Sequence, residues 1–180
     1  MATFSRDTVF KLKALGLYQL IFAVAGLGVT FWVMLEYGFQ DPRVSIVIFV
    51  VTVLYLFGIY SSILCFQKNP KCLLYSSINQ YFQLASFSIA GYAFSFVPGF
   101  AVNLGFDLTS GFDITLNLKL LSFWHINVAT DSNAILINLN LAALALILII
   151  DQVKKKMKQE MEEELFMIGQ EVKEDNSVQK

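Results

Sequence analysis

Along this chain the apolar residues gather into four long blocks, at 14–36, 44–66, 72–97 and 133–151, with short polar links between most of them. A hydrocarbon core about 30 Å thick needs roughly 20 helical residues to cross it, and each block supplies about that many. Ionisable residues touch the blocks only at their ends, at Glu36 and Asp151. The pattern predicts an all-α membrane protein, an antiparallel four-helix transmembrane bundle. The first block follows Arg6, Lys11 and Lys13, as the apolar region of a signal peptide would. It is longer than the roughly 7–15 residues of such a region, so it reads as a retained span.

Between the third and fourth blocks the period changes from helical to two. Val102, Leu104, Phe106 and Leu108 alternate with Asn103, Asp107 and Thr109. After Ser110-Gly111, Phe112, Ile114, Leu116, Leu118 and Leu120 alternate with Asp113, Thr115, Asn117 and Lys119. Strict alternation marks half-buried strands, and Gly111 suits the turn of a hairpin. With a third strand at 123–128, the segment 98–132 reads as a small extracytoplasmic three-stranded β-meander between spans 3 and 4. Pro98-Gly99 ends the third span, and Asp131 or Ser132 is positioned to cap the fourth. The chain thus divides into an N-terminal segment 1–13, spans 1 to 3 over 14–97, the β-rich loop 98–132, span 4 over 133–151 and a tail 152–180.

Each span carries a seam of small or polar residues. Inside lipid such seams permit close helix approach and hydrogen bonding across helices. Gln19, Ala23, Gly26 and Thr30 form one; Thr52, Tyr55, Ile59 and Ser62 another; Ser76, Asn79, Gln83, Ser86 and Ala90 a third; Asn138, Ala142 and Ala145 the fourth. Gln19, Thr30, Asn79, Gln83, Ser86 and Asn138 are therefore the candidate intramembrane polar residues. They are either interhelical glue or the lining of a hydrated pocket. No carboxylate or cation accompanies them, which weighs against ion-coupled transport.

Charge sets the orientation. Eleven of the thirteen Lys and Arg residues fall in segments that share a side with the N-terminus, leaving only Arg43 and Lys119 opposite. The positive-inside rule then places both termini in the cytoplasm. Lys154, Lys155, Lys156 and Lys158 follow the last span, and beyond them Val153, Met157, Met161, Leu165 and Ile168 form one stripe of an amphipathic helix reaching about residue 168. Cys65 and Cys72 flank a link on the cytoplasmic, reducing side and are expected as free thiols. Absent sequons and outer cysteines lean towards a bacterial inner membrane.

Composition then narrows the function. At 56% hydrophobic residues and net charge −1, the chain has no basic field to gather nucleic acid. It carries no P-loop, GxSxG or HExxH pattern, and a lone histidine makes no metal site, so no catalytic residue, cofactor or metal is expected. The outer loop is the best candidate for recognition, with Phe106, Phe112, Trp124 and His125 as its surface, since strand edges accept further strands. The reading is a non-catalytic multi-pass membrane protein: an accessory subunit, assembly factor or membrane sensor. Its partners would be the lipid bilayer and another membrane or envelope protein, or itself. The alternative is a small homo-oligomeric channel, neutral-solute carrier or membrane-perturbing effector.

Overall fold

The computed structural model describes residues 4–37, 42–89, 92–109, 111–119, 123–127 and 135–178. Two long apolar helices come first, α1 (Arg6–Tyr37) and α2 (Pro42–Phe66). Each contains a stretch long and apolar enough to cross a membrane, Arg6–Glu36 and Val44–Phe66. They run antiparallel: Gly16 lies against Cys65, Ala23 against Gly58 and Gly26 against the Tyr55 ring. Small residues at these crossings let the backbones come close. Gln19, Ala23, Gly26 and Thr30 of α1 are all buried, while Ile21, Val24, Phe31 and Trp32 on its other side are exposed.

A tight turn ends α2. The Lys68 amide donates to Cys65 O at 3.1 Å and the Asn69 amide to Leu64 O at 3.0 Å. This is a Schellman closure, with Lys68 at the left-handed position, φ 56°. The Asn69 side chain then accepts from the Lys71 amide at 3.0 Å, starting α3 (Lys71–Leu84).

From Ala85 onward the structure departs from the four-span bundle. Helix α3 has 14 residues, about 21 Å of rise, too short for a hydrocarbon core of about 30 Å. The rest of the expected third span forms two strands, β1 (Ala85–Ile89) and β2 (Tyr92–Val97). Here the side chains alternate, Ser86 and Ser88 against Phe87 and Ile89, then Ala93 and Ser95 against Tyr92, Phe94 and Phe96. Aromatic residues in period two favour a pleated surface over a helix. The expected fourth span divides likewise into β6 (Ile135–Asn140) and the start of α4 (Leu141–Val178). Only Leu141–Ile150 of α4 is apolar before Asp151, about 15 Å of helix. Among the described residues, two helices rather than four have the length and composition of a span.

The helix α4 is capped by Asn140, whose Oδ1 accepts from the amides of Ala142 at 3.1 Å and Ala143 at 3.3 Å. The expected caps Asp131 and Ser132 lie outside the described residues. Between β2 and β6 come β3 (Ala101–Asp107), β4 (Asp113–Lys119) and β5 (Phe123–Asn127), near the strands that alternation predicts. They do not form a separate three-stranded meander. Strands β3 and β4 pair as a hairpin, but β3 also pairs with β6, and β5 pairs with β2. The result is one antiparallel sheet of six strands in the order β4-β3-β6-β1-β2-β5.

Two cores hold these elements together. One joins all four helices near the α2–α3 turn: Leu12, Leu64, Cys65, Cys72, Leu73, Ile150, Val153 and Met157. The other packs the hairpin helices against the sheet, through Ala23, Val51, Tyr55 and Phe96, with Phe94, Trp124 and Ile126 beside them. The stripe Val153–Met157 of α4 is thus an internal contact of the helices, and only beyond Met161 does the stripe reach the surface, at exposed Leu165.

Where α4 passes the start of α1, Glu160 closes a polar clasp. It accepts from the Ser5 hydroxyl, from the Ser5 amide at 3.2 Å and from the Thr8 hydroxyl at 2.9 Å. Lys156 meets Asp7 at 2.8 Å one turn away. Free amides at a helix N-terminus attract an anion, so a carboxylate from a remote helix fits there. Burial would raise the Glu160 pKa, but the Ser5 and Thr8 hydrogen bonds outweigh it and hold the carboxyl below its usual range. The Asp7 hydrogen bond raises that of Lys156.

Candidate functional site

Three of the six polar residues marked by the sequence meet at one place. Gln19 on α1 and Asn79 and Gln83 on α3 line a small cavity with Tyr18, Ala23, Leu54, Tyr55, Gly58, Phe96 and Pro98. Its volume is about 10 Å³. Gln19 Oε1 accepts from the Ser76 hydroxyl at 3.2 Å, and Ser76 is also 3.0 Å from the Ser61 hydroxyl. This chain of buried bonds ties α1, α2 and α3 together. Gln83 Nε2 donates to the Asn79 backbone carbonyl at 3.2 Å, one turn before the helix gives way to β1. Gln19 Nε2 and Asn79 Oδ1 are buried without a protein partner.

The other three lie elsewhere. Thr30 donates to the Gly26 carbonyl at 2.8 Å within α1. Ser86 and Asn138 face each other across β1 and β6, in the sheet and outside the helix seam. A buried polar residue the helical seam did not reveal is Gln80, fully buried with neither amide atom partnered by protein. Its signal is the four-residue step Cys72, Ser76, Gln80, which runs beside Ser76, Asn79, Gln83 and widens the buried face of α3. Chemically the cluster offers amides and hydroxyls, which bind by neutral hydrogen bonds. Cys65 and Cys72 are buried and not disulfide-bonded.

The second candidate surface is the sheet. Cross-strand neighbours share a face, and the registers align Ile114, Phe106, Ile137, Phe87, Phe94 and Ile126 in one row across all six strands. The adjacent row on the opposite face runs through Thr115, Gly105, Asn138 and Ser86, and on the far strands Ser95 pairs with His125. One face is therefore apolar and the other polar or small. The β5 end of the apolar face is covered by the helices, but its β4 end is open: Ile114, Leu116 and Leu118 are 56%, 67% and 68% exposed. Among the described residues, strand β4 has a neighbour on one side only.

Of the expected recognition residues, Phe106 and Phe112 come together at this open end, ring centroids 6.2 Å apart. Trp124 and His125 sit on β5 at the opposite edge, His125 exposed and Trp124 packed beside the core of Tyr55 and Phe96. The four do not form one patch. At the β3 end, Asp107 accepts from the Thr109 amide at 2.9 Å, which holds its carboxyl below the usual range. The chain matches no protein-family model, no curated protein and no solved structure.

Proposed function

We propose that this chain is a non-catalytic membrane protein that acts by binding another protein along the outer edge of β4. The hairpin of α1 and α2 crosses the bilayer twice, with the lysine-rich α4 and the start of α1 on the cytoplasmic side of a bacterial inner membrane. Spans of this kind need apolar helix faces turned outward, and exposed Phe31, Trp32, Phe49 and Leu56 supply them.

The observation that carries the reading is the state of β4. All its residues except Lys119 are exposed, its outer edge has no neighbouring strand among the described residues, and its apolar side chains continue a face built across the whole sheet. Exposed flat edges are normally short, charged or covered, because they template strand addition. A partner strand placed there would gain backbone hydrogen bonds from the edge and side-chain contact from Ile114, Leu116 and Leu118. The channel alternative draws little from the helices, whose seams close on a cavity far smaller than a solute.

A photo-crosslinking residue in place of Leu116, in the full chain in its native membrane, tests the proposal. Expected is a protein adduct of discrete mass that Ile114→Lys abolishes. Adducts to lipid alone would mean that the apolar face lies on the bilayer, and the reading would be wrong.

A further inference from the structure

We propose that the cavity between α1, α2, α3 and β2 is a binding site for a single ordered water molecule that accepts from Gln19 Nε2 and donates to Asn79 Oδ1. The two atoms are complementary. One is a buried donor without a protein acceptor, the other a buried acceptor without a protein donor, and both residues line the same space. Gln19 is 3% and Asn79 4% exposed, so bulk solvent does not serve them. A cavity must offer roughly 10–15 Å³ to hold one water, and cavities that stay dry are apolar. This one measures about 10 Å³ and has three amide side chains in its wall.

The chemistry of the wall selects water over other occupants. Lining groups are amides, two phenols and apolar side chains, with no carboxylate, histidine or cysteine among them, so nothing there compensates a bound cation or anion. The volume excludes any solute of two or more heavy atoms. Water donates and accepts together, which the pair requires. The assignment also survives rotation of the Gln19 amide: with Oε1 and Nε2 exchanged, Ser76 would accept instead of donate, and the water would donate to both residues. Its place matters to the fold, because it joins α1 to α3 just before α3 passes into the sheet, beside the carbonyl of Asn79 that Gln83 occupies.

The test uses the full chain in lipid nanodiscs with nitrogen-15 in its glutamine and asparagine side chains, and ordinary water as the probe. Gln19→Leu assigns the Gln19 amide signal. The expected result is a magnetisation transfer from a long-lived water to the Gln19 Nε2 protons that is lost in Asn79→Leu, where the water loses its acceptor. The melting temperature should fall by about 2–4 °C in each single variant, and the double variant should fall by less than the two losses together, since both remove one shared water. No water contact at Gln19 in the wild type, or a contact indifferent to Asn79→Leu, overturns the proposal. A rise in melting temperature on placing leucine at either position also overturns it, because a dry cavity would welcome the apolar side chain. If Asn79→Leu does not fold, the wild-type contact alone decides.

Discussion

Replacing Gly26 with alanine tests how closely the two membrane-length helices approach. A Cβ built on Gly26 would lie well inside 3.0 Å of the Tyr55 ring, whereas ordinary contact begins at 3.4 Å. The ring has nowhere to go. Tyr55 is 1% exposed, and the Phe96 ring lies 5.1 Å beyond it, centroid to centroid. Either the helices separate or Tyr55 is driven into the sheet, and overpacking of this kind costs about 1–3 kcal/mol. Alanine also gains about 0.8–1.0 kcal/mol of helix propensity over glycine, so the net loss should be at most about 2 kcal/mol. Gly28, two residues on, is the internal control, because nothing lies within 4 Å of its Cβ. Gly28→Ala should keep the propensity gain without the clash. Thermal or SDS unfolding of both variants, followed by circular dichroism in the same lipid or detergent, gives the comparison. Gly26→Ala should melt several degrees below Gly28→Ala, at about 2–4 °C per kcal/mol. Equal melting temperatures would refute the close crossing.

Other expectations follow from single contacts. Lys68→Gly should stabilise by roughly 1 kcal/mol in the same unfolding assay, because a lysine at φ 56° bears a left-handed cost that glycine avoids. In the sheet, a Cβ on Gly105 would sit 2.5 Å from both Asn138 Oδ1 and Thr115 Oγ1, so Gly105→Ala should cost about 1–3 kcal/mol. Gly111→Ala at the exposed turn, where a Cβ meets nothing within 4 Å, should be nearly neutral in that comparison. The Glu160 clasp should open with acid. Its carboxyl is held below the usual range by Ser5 and Thr8, so its contribution is complete above the ordinary glutamate value and is lost as pH falls through the depressed one. Amide exchange at the first turn of α1 should accelerate over that acid range in the wild type and be fast at every pH in Glu160→Ala.

The parts of the fold legible in the sequence are those with one period and enough length. Blocks 14–36 and 44–66 contain more apolar residues than any strand uses, and both became helices of span length. The β3–β4 hairpin was legible because nine apolar residues alternate around Ser110-Gly111. Blocks 72–97 and 133–151 misled because short apolar runs suit a strand, a buried helix or a span equally. Ser86 and Ala90 fall at helical spacing from Ser76, Asn79 and Gln83, yet Ser86 and Ser88 also alternate with Phe87 and Ile89. Both periods are written there, and pairing decides between them. That pairing is long-range, Phe87 with Ile137 and Phe106 with Ile137, and no local pattern carries it. The meander failed for the same reason: β5 found β2 rather than its sequence neighbour β4. At the polar site, Gln19, Asn79 and Gln83 were legible as seams on two helices, whereas Asn138, at helical spacing from Ala142, lies in β6 outside any helix. Its true partner, Ser86, lies across a strand pair.

Residues 85–89, 92–97 and 135–140 are strands of one sheet and not the outer halves of membrane spans. Solid-state NMR of the carbon-13-labelled chain in lipid bilayers tests this most directly, through the backbone shifts of Phe87, Phe94 and Ile137 and the contacts between them. Strand shifts are expected at all three, with Phe87 in contact with both Phe94 and Ile137. Helical shifts at these residues would contradict the sheet and restore a bundle of four spans.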